Sequence, residues 1–393
     1  MKRRVRASAP AKVILFGEHF VVFGKRALAT AVNRRLVVEV SEKDGNGRSG
    51  KGGYHIKIEN IPTFGLEVDL FRGEKGEKGE KGEEGEEGGR GEALPYKDYG
   101  EATKAIAYVK ESIKYLEESY GINLEGGGVE IEIKSEIPLS AGLGSSAATC
   151  VATVAALKEF FGWGVGGGEG DLEADLEADL EAVREDAHRV ELAVQGAASP
   201  VDTAISTYGG SVLVEQGEVK RLRLAGLTGL NLLVGCVGCL PLSRGTSDFG
   251  LKTKKIVEQV KARKETFKRI FDSLLEASEE TTAEAVAALR ERNFVRLGAL
   301  MNINHGLLDA IGVVPRRLSE LAKVSQELGA LGAKVTGAGG LDEMGGVGSV
   351  LVLPGAVGRG KIKTAMEIAG ALVLDVKTGG EGLKIEEKFD YNS

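Results

Sequence analysis

The run at residues 138–148, PLSAGLGSSAA, constrains the fold more than any other, because it stands between the alternating segment VEIEIKS and the apolar segment TCVATVAALKEFF. A strand that leads through glycines directly into a buried helix commits the chain to a mixed α and β architecture. The glycines let backbone N–H groups turn inward, Ser145 and Ser146 add hydroxyls, and the helix beyond offers its positive N-terminus. The run therefore reads as an anion site. The string also satisfies the G-x-G-x-x-A form of a dinucleotide turn. That form wants an acidic residue ending a second strand about twenty positions on, and here the region is the glycine cluster 162–168. A Walker A loop fails too, since its nearest match, GAVGRGKI at 355–362, has Ile362 where Ser or Thr must hold magnesium.

The chain has 393 residues, enough for two domains, and 57 glycines. Its net charge of −7 is unevenly placed. Segment 73–91 (GEKGEKGEKGEEGEEGGRG) carries −3, segment 162–182 carries −7, and the rest of the chain is slightly basic. Nothing in this distribution suits nucleic acid. No eighteen apolar residues run together, which excludes a membrane helix, and the apolar stretch behind Lys2, Arg3 and Arg4 is too short for a signal peptide. Three cysteines make no disulfide framework. Cys236 and Cys239 form a C-x-x-C inside the apolar run LNLLVGCVGCLPL, which reads as a buried strand rather than a zinc site. A cytoplasmic protein is expected.

Glycine stands at almost every third position of 73–91 with only charged residues between, so this stretch reads as a solvated insertion. DLEA repeats three times over 171–182, setting Leu172, Leu176 and Leu180 on one helical edge. Helical spacing recurs over 101–119, 251–277, 281–300 and 315–330. Strand patterns occur at KVILF, VVFGKRALATAV, RRLVVEVSE, YHIKIENI and SVLVLP. The pattern restarts near residues 225–230, where a domain boundary is expected.

PLSAGLGSSAA resembles the phosphate-binding motif of the GHMP small-molecule kinases. Within that superfamily, SAPAKVILFGEHFVVFGK, HRVELAVQGAASPVDTAISTYGG (188–210) and NINHGLLDAIGVV (302–314), leading into LGAKVTGAGG, are similar to the mevalonate kinase family. The resemblance implies an α+β chain of the GHMP kinase fold. A ribosomal-protein-S5-like N-terminal domain would span 1–228, with insertions at about 73–91 and 164–182. A ferredoxin-like C-terminal domain would span 229–393, with an insertion at about 341–346.

The resemblance also implies a site. Asp202 matches the catalytic aspartate that takes the proton of the substrate hydroxyl, and Lys12 matches the lysine that steadies charge beside it. Pro138, Ala141, Gly142, Leu143, Gly144, Ser145, Ser146 and Ala147 match the phosphate cradle for ATP. Glu191 matches the Mg2+-binding glutamate, with Ser145 or Ser146 supplying a second oxygen. Glu18, His19, Thr246, Gly337 and Ala338 fall on the substrate side. The implied reaction is ATP-dependent phosphorylation of mevalonate to 5-phosphomevalonate, with ATP and mevalonate as ligands, no nucleic acid or membrane partner, and a homodimer as the family's common state. Another GHMP kinase acting on phosphomevalonate, homoserine or a sugar, or a non-catalytic relative, stays open. The third motif departs from the family's TGAGGGGC form, because LDEMGG at 341–346 interrupts it and brings Asp342 and Glu343 towards the phosphate side.

Overall fold

The computed structural model describes residues 3–42, 53–60, 64–71, 101–121, 128–138, 141–164, 172–196, 199–238 and 249–389. Segment 73–91, Cys239 and Thr246 lie outside them. Two sheets organise the chain. In the first, β12 (Lys384–Phe389), β1 (Arg4–Phe16), β2 (Ala27–Glu42), β5 (Val129–Ser135), β3 (Gly53–Asn60) and β4 (Phe64–Phe71) lie in that order. The hairpin of β6 (Ser211–Glu215) and β7 (Glu218–Leu222) joins the other end of β2. The second sheet runs β11 (Ala371–Lys377), β8 (Asn231–Val237), β10 (Gly348–Pro354), β9 (Ala330–Thr336), all antiparallel.

β1 and β2 form the spine of the first sheet, and their ladder breaks at one telling place. Pro10 has no N–H to give, and the register jumps there, so that Pro10 pairs with Arg35 and Ala11 with Val32. A bulge of this kind re-aims the side chains beside it. The next residue is Lys12.

α2 (Ser145–Phe160) is apolar all round and lies buried against β1 and β2, flanked by α1 (Glu101–Tyr120) and α3 (Leu172–Gln195). Lys158, buried in α2, is compensated by Asp186 of α3 at 2.9 Å and by the Tyr120 hydroxyl of α1 at 2.8 Å. The DLEA segment forms the first half of α3, where Leu176 is 44% exposed and Leu180 is half-buried. Acidic residues also dock it. Glu177 accepts from Arg221 of β7 at 2.6 Å, and Glu181 accepts from the hydroxyl of Tyr208, the last residue of α4 (Pro200–Tyr208).

The second half of the chain differs from the sequence expectation in its helix boundaries. One helix over 251–277 and another over 281–300 were expected; the structure has α5 (Phe249–Thr266), α6 (Lys268–Arg290) and α7 (Phe294–Ala310). The first break falls at Phe267, whose backbone leaves the helical region. The polar stretch SEETT, which reads as a boundary, lies inside α6, because Thr281 and Thr282 bond back to the carbonyls of Ala277 and Ser278. Two further helices, α8 (Arg316–Glu327) and α9 (Arg359–Ile368), help enclose the core of the second sheet. VVFGK is likewise not a strand: Phe20–Phe23 form a single 3-10 turn.

β9 is an edge strand, and α7 covers its open side. Asn302 Oδ1 accepts from Ala333 N at 2.9 Å and His305 Nδ1 from Val335 N at 3.3 Å. These side chains satisfy backbone donors that an uncovered edge would leave unpaired. β12 pairs antiparallel with β1, so the end of the segment expected to form the C-terminal domain belongs to the first sheet. No helix among the described residues is long and apolar enough to cross a membrane.

Candidate active site

The bulge in β1, the start of α2, the C-terminal end of α3 and the first turn of α4 converge on one place. Lys12 Nζ lies 3.3 Å from Asp202 Oδ1, with the lysine buried and the aspartate partly open to solvent. Ser199 caps α4 by accepting from Val201 N and Pro200 opens the helix, which places Asp202 in its first turn. Lys12 N donates to Leu143 O at 2.9 Å, tying β1 to the glycine run.

The run itself is shaped by two left-handed glycines. Gly144 (φ 74°) caps α2, and a Cβ there would stand 2.8 Å from Lys12 Cγ. Gly142 (φ 70°) faces Gly337 of the later glycine turn so closely that a Cβ on Gly337 would be 3.1 Å from Gly142 O. Ala141 O accepts from Ser349 Oγ of β10 at 2.6 Å. The two glycine motifs, nearly two hundred residues apart, therefore pack backbone to backbone. Pro138, Leu143 and Ala147 are buried beneath the run, while Ser145 and Ser146 stand half-buried at the start of α2. The first backbone N–H groups of α2 thus sit beside Lys12, at the end of the helix that favours phosphate.

Glu191 lies on α3, facing the same point. Its Oε1 accepts from Ser146 Oγ at 2.7 Å and from Gln195 Nε2 at 3.1 Å, whereas Oε2 is buried without a partner. Burial, reinforced by the charge of Asp202, pushes its carboxyl up to about 7, against the opposing pull of Ser146 and Lys12. Ser146 is the serine joined to Glu191; Ser145 gives its carbonyl to Thr149.

His19 follows the end of β1 in a left-handed conformation (φ 61°). Its Nε2 lies 2.9 Å from Ala338 O, and since a carbonyl only accepts, the ring nitrogen carries the proton. Burial lowers its pKa below the ordinary histidine range, against the opposing effects of the Ala338 bond and Glu18. Glu18 is not presented to the cleft as expected of a substrate contact: its side chain is 1% exposed, paired with Lys334 and bonded by Asn304 Nδ2 at 3.2 Å. Asp342 and Glu343 point away from the phosphate side. Asp342 Oδ1 accepts from Arg316 N at the start of α8, and Glu343 accepts from Gln259 of α5. A cavity of about 490 Å³ beside them is lined by Arg263, Phe267 and Gly312 among others, and by none of the residues of the site.

Residues 107–210 match the family model described as GHMP kinases N terminal domain, and residues 285–341 match GHMP kinases C terminal. The mevalonate kinase of Thermococcus sibiricus is 36% identical over 389 residues, covering 98% of this chain and 99% of the relative. The chain belongs to the mevalonate kinase family. The mevalonate kinase of Pyrococcus furiosus is also 36% identical, covering 98% of this chain and 99% of its own length. Among solved structures, L. major mevalonate kinase in complex with R-mevalonate matches with a TM-score of 0.69 at 23% identity, covering 95% of this chain and 96% of that one. Methanococcus jannaschii mevalonate kinase matches at 0.67 and 22% identity, with coverage of 95% and 98%. These structures share its α+β fold.

Within this member of the mevalonate kinase family, sequence reasoning singled out the string NINHGLLDAIGVV but gave its polar residues no work. Asn302 and His305 hold β9, and Asn304 reaches Glu18. The available signal was their spacing on one helix within a motif that is otherwise apolar.

Proposed function

We propose that this chain transfers the γ-phosphoryl group of ATP to the primary hydroxyl of mevalonate, giving 5-phosphomevalonate. The observation that carries the reading is the Lys12–Asp202 pair at 3.3 Å, set beside the N-terminus of α2. Asp202 accepts the hydroxyl proton as that oxygen attacks the γ-phosphorus. The bond from the γ-phosphorus to the β,γ-bridging oxygen breaks, ADP departs, and the proton passes from Asp202 to solvent. Lys12 steadies the negative charge that develops around the transferring group, and the N–H groups of α2 cradle the phosphates.

The donor set also fits Mg2+. Glu191 Oε2 is a buried carboxylate oxygen with no partner, beside the Ser146 hydroxyl, and burial disfavours its charge unless a cation compensates. No cluster of three or more His, Cys, Asp or Glu suited to a metal occurs among the described residues, so phosphate and water oxygens would complete the shell. When bound by Glu191 and Ser146, the ion neutralises charge on the β- and γ-phosphates.

His19, with Gly337 and Ala338, forms the wall assigned to mevalonate. The three strings similar to the mevalonate kinase family and the relatives at 36% identity support mevalonate over homoserine or a sugar. An ADP-release assay with mevalonate, phosphomevalonate, homoserine and galactose tests the reading. Turnover is expected with mevalonate and is expected to disappear in Asp202→Asn. Preference for another acceptor, or turnover that survives Asp202→Asn, overturns it.

A further inference from the structure

The most deeply buried charges in the described residues include Lys334 and Glu18, which are 0% and 1% exposed and paired with each other. The sequence gives Lys334 no role beyond its place in KVTGAGG. A buried ion pair is a poor stability device, because the cost of desolvating two charges cancels most of their attraction. What such a pair does well is fix one geometry, since either charge left alone is strongly disfavoured.

The geometry fixed here is that of His19. A histidine at φ 61° holds a strained backbone conformation that persists only where its surroundings determine it. Glu18, on its N-terminal side, is held by Lys334 and by Asn304. The His19 ring itself is held by Ala338 O at 2.9 Å. Lys334 and Ala338 lie four residues apart, on β9 and the glycine turn that leaves it. Thr336, between them, donates to Ile14 O of β1 at 2.8 Å. One strand and its exit turn thus grip the histidine from both sides, across the junction of the two sheets.

We propose that Lys334 is a positioning residue for acceptor binding: through Glu18 it holds His19 in the orientation that receives mevalonate, while the nucleotide side stands on other contacts. Ala338 is the link that registers His19 against the second glycine turn. This inference rests on the mevalonate reading of the site.

Steady-state kinetics of Lys334→Met and of the neutral pair Glu18→Gln/Lys334→Met test it. In Lys334→Met the KM for mevalonate is expected to rise about tenfold or more, with the KM for ATP within about twofold of wild type, because only acceptor binding is disturbed. The double variant leaves no unpaired buried charge but still lacks the tether, so it is expected to keep most of that loss; recovery to the wild-type KM would show that a lone buried charge caused it and overturns the proposal. Equal rises in both KM values, or a lowered melting temperature with neither KM changed, overturn the proposal. If Lys334→Met does not fold, Asn304→Leu removes the other bond to Glu18 and is read by the same split.

A readout without catalysis separates this inference from the functional one. The chain has four histidines, so the His19 C2 proton resonance is assignable with His19→Gln. It is expected to move in Lys334→Met and to stay displaced in the double variant. If it stays in place, positioning fails even where wild-type protein phosphorylates mevalonate. If it moves while wild-type protein turns over no mevalonate, the functional reading fails and the grip on His19 stands.

Discussion

Ser146 Oγ donates a 2.7 Å hydrogen bond to Glu191 Oε1 and so joins the first turn of α2 to the C-terminal end of α3. The bond occupies one carboxylate oxygen and leaves the other buried and unpartnered. A group in that state is a poor anion until a cation arrives, and this has a consequence for stability.

In the metal-free protein Glu191 holds its proton up to about pH 7, while in the unfolded chain it ionises near 4.5. Between those values the folded state binds more protons than the unfolded one, so this residue's contribution to stability falls as pH rises from about 4.5 to about 7 and is level beyond. The loss amounts to roughly 3 kcal/mol. Urea unfolding of metal-free wild type and Glu191→Gln across that range checks it: the two curves converge at the acid end, and the variant is the more stable at neutral pH.

Gly144 and Gly142 offer a controlled comparison. Both have positive φ, so alanine at either strains the backbone, but only at Gly144 would the new carbon crowd Lys12. At Gly142 its nearest neighbour is Gly337 Cα at 3.5 Å. Gly144→Ala is expected to lower kcat about tenfold or more through displacement of Lys12, beyond the loss of about 1–2 kcal/mol in stability that the two variants share. Comparison of kcat with melting temperature for the pair separates the two effects.

Within 341–346 the two acidic residues are engaged elsewhere, Asp342 with Arg316 N of α8 and Glu343 with Gln259 of α5, so they do not oppose phosphate. Deletion of the six is expected to leave the KM for ATP within about twofold of wild type. It should cost about 3–5 kcal/mol of stability, through loss of the Leu341 side chain from the second core and of the Asp342 bond to Arg316 N. A tenfold or greater improvement in the KM for ATP would show that these carboxylates reach the nucleotide after all.

Local chemistry was the legible part of the sequence. The glycine run before an apolar helix, the placement of Asp202 after Ser199 and Pro200, and the alternating strands all declare themselves within a dozen residues. The Lys12–Asp202 approach was readable only through resemblance, since 190 positions separate the two residues and no local pattern links them. The partner of Glu18 was hidden for a related reason: Lys334 stands more than three hundred residues later, and nothing beside His19 marks Glu18 as one half of a buried pair. The polar run inside α6 deceived because its threonines satisfy themselves on the helix backbone, so their polarity marks no exit from the core.

The pairing of β12 with β1 sets Arg4 opposite Phe389 and so ties the first sheet to a segment far away along the chain. Until that contact forms, the outer edge of β1 carries unpaired donors and acceptors, open to any extended strand nearby. A chain cut short before residue 384 would keep Lys12, Asp202 and both glycine runs, yet leave that edge exposed to association with a second copy.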